Sequence, residues 1–118
     1  MPRSDSLGQF EQLVLTSVVT LGDNAYGITI HKKVHELASS KAVTLGAIYV
    51  ALDRLEDKGF VSSWLSEPTA ARGGRAKRCY RLEAPGERAL KESLATARRM
   101  ADSVTPIWGD PDEEFGQA

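Results

Sequence analysis

Along the first third of the chain the apolar residues recur with helical spacing. From Leu7 to Leu21, Phe10, Leu13, Val14, Val18 and Leu21 fall at intervals of three and four, which places them on one helical face. Leu15 and Val19 lie on another side of the same helix, so two faces need cover. The expectation is that one face packs on its own domain and that Leu15 and Val19 meet a partner chain. Gly22-Asp23-Asn24 then breaks the helix with turn residues. A second helix is predicted over Tyr26–Ala38, with Ile30, Val34 and Leu37 inward and Lys32 and Lys33 outward.

After a polar turn at Ser39-Ser40-Lys41, Thr44 suits the N-cap of a third helix, where a hydroxyl can accept a free first-turn N–H. Leu45, Ile48, Leu52 and Leu55 form its inner stripe, and Gly59 suits its left-handed terminator. Phe60–Leu65 and Lys77–Leu82 read as strands, and Pro68 and Gly73-Gly74 between them mark a long, wing-like loop. Pro85 fits the first turn of a last helix ending near Val104, with Pro106 as its stop. The predicted class is mainly α with a small β-hairpin (α+β). Three helices followed by a hairpin is the winged helix-turn-helix order. The expected division is 1–83 for that domain, 84–104 for a C-terminal dimerisation helix and 105–118 for a flexible acidic tail.

Composition supports one soluble domain. The 118 residues are 42% hydrophobic and 26% charged, and no apolar run approaches the ~20 residues of a spanning helix. Met1–Ser6 has no apolar stretch of the kind a secretory signal carries. The single cysteine, Cys79, cannot form an internal disulfide and reads as a structural strand residue. A cytoplasmic location, with no membrane partner, is the expectation. The net charge of −1 conceals a division. Asp110, Asp112, Glu113 and Glu114 crowd the tail, and the remaining 15 basic and 12 acidic residues leave the body at +3. Within it, Arg72, Arg75, Lys77, Arg78 and Arg81 fall in ten residues without an acid, which points to a polyanion.

The run Thr44-Leu45-Gly46-Ala47-Ile48-Tyr49-Val50-Ala51-Leu52-Asp53-Arg54-Leu55-Glu56-Asp57-Lys58-Gly59 resembles the third helix of PadR-family transcriptional regulators. Upstream Leu21-Gly22, Tyr26-Gly27 and Ile30 match in register. So do the wing Gly73-Gly74-Arg75-Ala76-Lys77-Arg78-Cys79-Tyr80-Arg81-Leu82 and Gly86. The likeness covers roughly residues 7–95 and is to the short subgroup with one C-terminal helix. Two positions depart from the pattern: Glu83 stands where the family usually has Thr, and Cys79 where an aromatic is frequent.

The resemblance implies a sequence-specific DNA-binding regulator acting as a homodimer, usually a repressor. In a helix-turn-helix the second helix of the motif enters the major groove of double-stranded DNA. Thr44, Gly46, Ala47, Tyr49, Val50 and Arg54 are therefore the candidate contacts of the third helix, with Lys58 flanking them, and the small Gly46, Ala47, Val50 and Ala51 are expected to face outward. Arg72 and Arg75 are candidates for the minor groove, and Lys77 and Arg78 for phosphates. Leu90, Leu94, Ala97, Ala101 and Val104 repeat at spacings of four and three, a coiled-coil seam that makes them dimerisation candidates beside Leu15 and Val19. Trp108 is a candidate lining residue for a small aromatic or hydrophobic effector, or else a packing residue.

Other chemistry is thin. His31 and His35 stand at i and i+4, but the sequence offers no third or fourth metal ligand. No nucleophile elbow or phosphate-binding glycine loop occurs, so neither an enzyme, a cofactor nor a metal is expected. The rival from another class is a winged-helix protein-interaction module that never touches DNA, and the basic wing argues against it.

Overall fold

The structure, a computed structural model, describes residues 7–39, 42–67 and 76–112. Helix α1 (Gln9–Leu21) leads through a 3-10 turn at Gly22–Asn24 into α2 (Gly27–Ala38). Helix α3 (Leu45–Asp57) follows, then strands β1 (Val61–Leu65) and β2 (Arg78–Leu82), and finally α4 (Ala84–Trp108). The strands pair antiparallel, with Val61 opposite Leu82 and Leu65 opposite Arg78. A short bridge from Tyr26 to Cys79 lays the entry of α2 along the other edge of β2, and the Tyr80 N–H donates to the Ala25 carbonyl at 2.9 Å. The expected α+β class and the winged helix-turn-helix order are both present.

Helix α1 is the post around which the rest is built. It packs against α2, α3, β2 and α4, and Val14, Leu15 and Ser17 are fully enclosed. Leu15 therefore faces its own core rather than outward beside Val19, because β2 and α4 supply the second cover that the apolar pattern demanded. Val19 alone of that pair stays half exposed, at 48%. The buried Ser17 hydroxyl donates to the Leu13 carbonyl at 2.8 Å, so it is not stranded in the core.

The ends of α3 follow local chemistry. Thr44 Oγ1 accepts the Ala47 N–H at 3.1 Å, capping α3. Gly59 takes φ +78°, the left-handed conformation that stops α3 before the hairpin. Two inner-stripe expectations differ: Leu37 and Leu45 are exposed at 43% and 37%. Each sits within one turn of a helix end, where no further turn closes over it. Ala51, expected outward, is instead buried between Ile48 and Leu55 as part of the α3 inner face. Phe60 and Lys77 precede their strands rather than opening them.

Helix α4 extends past the expected stop. Pro106 lies inside its last turn, and the helix closes at Gly109, whose N–H donates to the Thr105 carbonyl at 2.8 Å. Proline so close to a C-terminus removes a single ladder bond, and the Thr105 hydroxyl donates to the Ala101 carbonyl in the same turn. Only the start of α4 is packed in the domain, through Gly86 and Leu90. The radius of gyration, 16.6 Å, exceeds the ~13–14 Å of a compact chain of this length, since α4 projects for most of its ~37 Å.

Gly86 sets how α4 leaves the hairpin. A Cβ there would collide with the Phe60 carbonyl oxygen and crowd the Leu82 side chain. That same carbonyl accepts the Glu83 N–H at 2.9 Å. Glu83, in the N-cap position, makes no side-chain cap bond. Its carboxylate instead accepts from the Ser62 hydroxyl at 2.5 Å and the Arg81 Nε at 3.3 Å, and the Ser62 bond foremost holds its pKa below the ordinary value.

Two outcomes are expected. Gly86→Ala should destabilise the fold by about 1–3 kcal/mol, the usual penalty for overpacking, read as a lower urea midpoint. For Glu83 the depressed folded pKa means its contribution to stability is present above the unfolded pKa and lost as pH falls through the folded one. A carboxyl titration by NMR should therefore place Glu83 below the ordinary glutamate value, and Ser62→Ala should raise it. An unshifted Glu83 would show that the Ser62 contact does not persist in solution.

Candidate nucleic-acid interface

The outer face of α3 carries small residues that no described neighbour packs upon. Gly46, in the first turn of α3, has open space where a Cβ would stand, its nearest described neighbour being Thr44 Oγ1 at 4.0 Å. Ala47 and Val50 are exposed beside it, Val50 at 54%. Neither the Leu45 nor the Gly46 N–H has an acceptor among the described residues, so two donors stand free at the positive end of the helix. Thr44 spends its lone pair on Ala47 and can still donate its hydroxyl hydrogen outward.

Tyr49 has a double role. Its ring lies across Gly27 at the first turn of α2, so closely that a Cβ at Gly27 would collide with the ring and hydroxyl. The side chain is nonetheless 42% exposed. Gly27 is therefore small to admit Tyr49, whereas no described neighbour calls for the smallness of Gly46. The spacing of the sequence could not separate those two cases, because residues 27 and 49 meet only when α2 and α3 cross.

The cations divide into held and free. Lys58 forms an ion pair with Glu11 at 3.1 Å and lies 5.7 Å from the Phe60 ring centroid. It ties α3 to α1 instead of flanking a ligand. Arg78 Nη1 donates to the Ser63 hydroxyl at 2.9 Å, and that hydroxyl donates to the Glu56 carboxylate at 2.8 Å, a relay from wing to α3. Lys77 Nζ sits 3.9 Å from the Tyr26 ring centroid. Arg81 is shared between Glu83 and the face of Trp64, 5.8 Å from the ring centroid. Arg54 and Lys32 are exposed and contact no acid among the described residues. Arg72 and Arg75, with Gly73 and Gly74, lie outside the described residues. Thr44, Gly46, Ala47, Tyr49, Val50 and Arg54 thus share one surface of α3, while Lys77 and Arg78 stand on the wing. Asp53 shares the exposed side of α3, an acid the sequence reading did not weigh.

At the opposite end, α4 carries the remaining candidates. Leu90 is buried in its own domain, Leu94 is 48% exposed, Ala97 is exposed, and Ala101 and Val104 are half-buried. Ile107 and Trp108 stand out at 75% and 74%. A groove runs between the start of α1 and α4, lined among others by Leu7, Gln12, Phe60, Ala89, Ala97 and Met100. Among the described residues no group of three or more His, Cys, Asp or Glu gathers, and no helix is long and apolar enough to cross a membrane.

Comparison with known proteins adds the family. No curated protein matches the chain. Among solved structures, a PadR-family transcription regulator from Clostridium difficile R20291 is 28% identical, with a TM-score of 0.70 over 86% of this chain and 100% of that one. A PadR-like transcription factor from Bacteroides fragilis is 26% identical, with a TM-score of 0.62 over 83% and 87%. The Aeropyrum pernix ORC1 protein, solved in complex with DNA, is 29% identical, with a TM-score of 0.61 over 79% of this chain and 26% of that one. The family model described as the transcriptional regulator PadR-like family matches residues 15–92, from the core of α1 through the hairpin to the buried start of α4, and the chain belongs to that family.

Proposed function

We propose that this regulator acts as a homodimer that binds double-stranded DNA sequence-specifically and represses transcription from the cytoplasm. The first turns of α3 enter the major groove, with Thr44, Gly46, Ala47, Tyr49, Val50 and Arg54 as its contacts. Arg72 and Arg75 reach the minor groove from the wing tip, and Lys77 and Arg78 meet phosphates. The observation that carries this reading is Gly46. It is a glycine in the first turn of a helix, with only Thr44 Oγ1, at 4.0 Å, near its Cβ position among the described residues; its own N–H and that of Leu45 meet no acceptor there, and Ala47 and Val50 are exposed beside it. Such a surface lets backbone approach backbone, which suits a phosphate at a helix N-terminus. The fold's occurrence in the ORC1 protein solved with DNA supports the same reading.

Outward Asn, Gln and Arg are missing from the first two turns of α3, so thymine-methyl contacts by Ala47 and Val50 and sequence-dependent DNA shape supply much of the discrimination. Dimerisation uses the face of α4 with Leu94, Ala97, Ala101 and Val104, and the exposed Val19. A protruding helix with half-exposed leucine and valine is otherwise left with apolar surface in water. Twofold symmetry would set two half-sites about 34–36 Å apart or a multiple of it. A small aromatic or hydrophobic effector, bound against Trp108 near the dimer interface, releases the DNA.

Replacing Arg72 and Arg75 together with alanine should flatten the plot of log affinity against log salt by about two, at roughly 0.9 per phosphate contact. An unchanged slope would remove the wing tip from the interface. In light scattering the wild-type chain should have a dimer's mass and Leu94→Asp a monomer's. No shift of any duplex at low salt, by a chain that is dimeric, would instead favour a protein-interaction module.

A further inference from the structure

Two histidines on α2 converge on one peptide unit of the turn that leads into α3. His31 Nε2 lies 2.6 Å from the Val43 carbonyl oxygen, and His35 Nε2 lies 3.0 Å from the same oxygen. The Val43 N–H donates to His35 Nε2 at 3.3 Å. In the tautomer that accepts this bond His35 carries its lone pair at Nε2, and an ion there would replace the Val43 N–H as its partner. The rings are edge-to-face rather than stacked, with centroids 4.7 Å apart and planes at 71°. Two imidazole nitrogens therefore lie within 3.0 Å of one carbonyl oxygen.

We infer that His31, His35 and the Val43 carbonyl form a binding site for a divalent transition-metal ion that prefers square-planar or octahedral coordination, Cu2+ or Ni2+. The geometry selects the metal class. Nitrogen–oxygen separations of 2.6 and 3.0 Å correspond to angles of about 76–91° at a metal with bonds of ~2.1 Å. Those are adjacent corners of a square or octahedron. Tetrahedral ligands at the same bond length stand about 3.4 Å apart, so Zn2+ fits less well.

Each ring would hold the ion through Nε2 with its hydrogen on Nδ1, so the ion replaces the Nε2 hydrogen bonds to Val43. His31 is half-buried and His35 exposed, leaving a path for entry. No further His, Cys, Asp or Glu completes the shell among the described residues, so water fills the other corners. An open shell of this kind gives an exchangeable ion. Because Val43 directly precedes the N-cap Thr44, occupancy fixes the α2–α3 turn at the foot of the recognition helix. That last consequence rests on the DNA-binding reading; the metal site itself does not.

The test uses the full-length, tag-free chain, in which His31 and His35 are the only histidines. Titration calorimetry with CuCl2 and NiCl2 should show one ion per chain, bound more tightly than ZnCl2. The Cu2+ EPR spectrum should show hyperfine splitting from two equivalent-type nitrogens. His31→Gln and His35→Gln should each weaken binding by more than about a hundredfold, beyond the roughly 10–100-fold that loss of an outer-shell partner commonly costs. In the wild type, substoichiometric Ni2+ should broaden the NMR signals of both imidazoles together, a readout that needs no variant to fold. Splitting from fewer than two nitrogens, broadening of one ring alone, or unchanged affinity in the folded variants would overturn the site. Mobility shifts with and without Ni2+ then report the coupling: metal binding intact without any DNA shift would count against the DNA reading and leave the site standing.

Discussion

A helix that is apolar on nearly every side has to be covered on every side, and α1 imposes that requirement on the whole domain. Val14, Leu15 and Val18 cannot all face one neighbour, so α2 and α3 close over part of the helix while β2 and the root of α4 close over the rest. Each cover brings a functional surface with it. Packing α3 on α1 through Ile48, Ala51, Leu52 and Leu55 turns Gly46, Ala47 and Val50 outward. Packing β2 on α1 through Tyr80 sets the hairpin beside α3, and burial raises the Tyr80 pKa. Packing only the first turns of α4 leaves the remainder of that helix to project. The arrangement of recognition helix, wing and protruding helix is a consequence of how one post is enclosed.

Charge follows the same logic. The acids within the domain hold the cations that lie where elements meet: Glu11 holds Lys58 across α1 and α3, Glu56 reaches Arg78 through Ser63, and Glu83 holds Arg81. Exposed pairs of this kind contribute little to stability, but they fix the angle between wing and helix and subtract from the field the domain presents. Arg54, on the outer face of α3, pairs with no acid among the described residues. The basic run in the sequence is therefore not one uniform patch. Some of its members are structural, and the ones free to meet an anion are fewer than the composition suggests.

Much of this was legible before any coordinates. The helical spacing of α1, α2 and α3, the Thr44 cap and the Gly59 terminator are local events, decided by a few neighbouring residues and their backbone preferences, and all appear where the pattern puts them. Pro106 was misread because its rule assumes a helix interior; in a last turn the missing N–H costs one bond. Leu15 and Ala51 are expected on an open side and are covered, while Leu37 and Leu45 follow the inner stripe but lie at helix ends that nothing closes over. Helical phase gives the relative directions of side chains, whereas which directions are covered depends on how many elements surround the helix.

By itself, then, the chain determined its elements, their order, the family likeness and the small-residue run on α3, since these depend on periodicity, caps and turns within a dozen residues. Tertiary structure decided which small residue admits a neighbour and which is left open, which lysine is spent on Glu11, and that His31, His35 and Val43 meet at a point. Those outcomes turn on distances of a few ångströms between residues 8 to 47 positions apart. Nothing in the order of residues encodes such a distance until the helices have crossed.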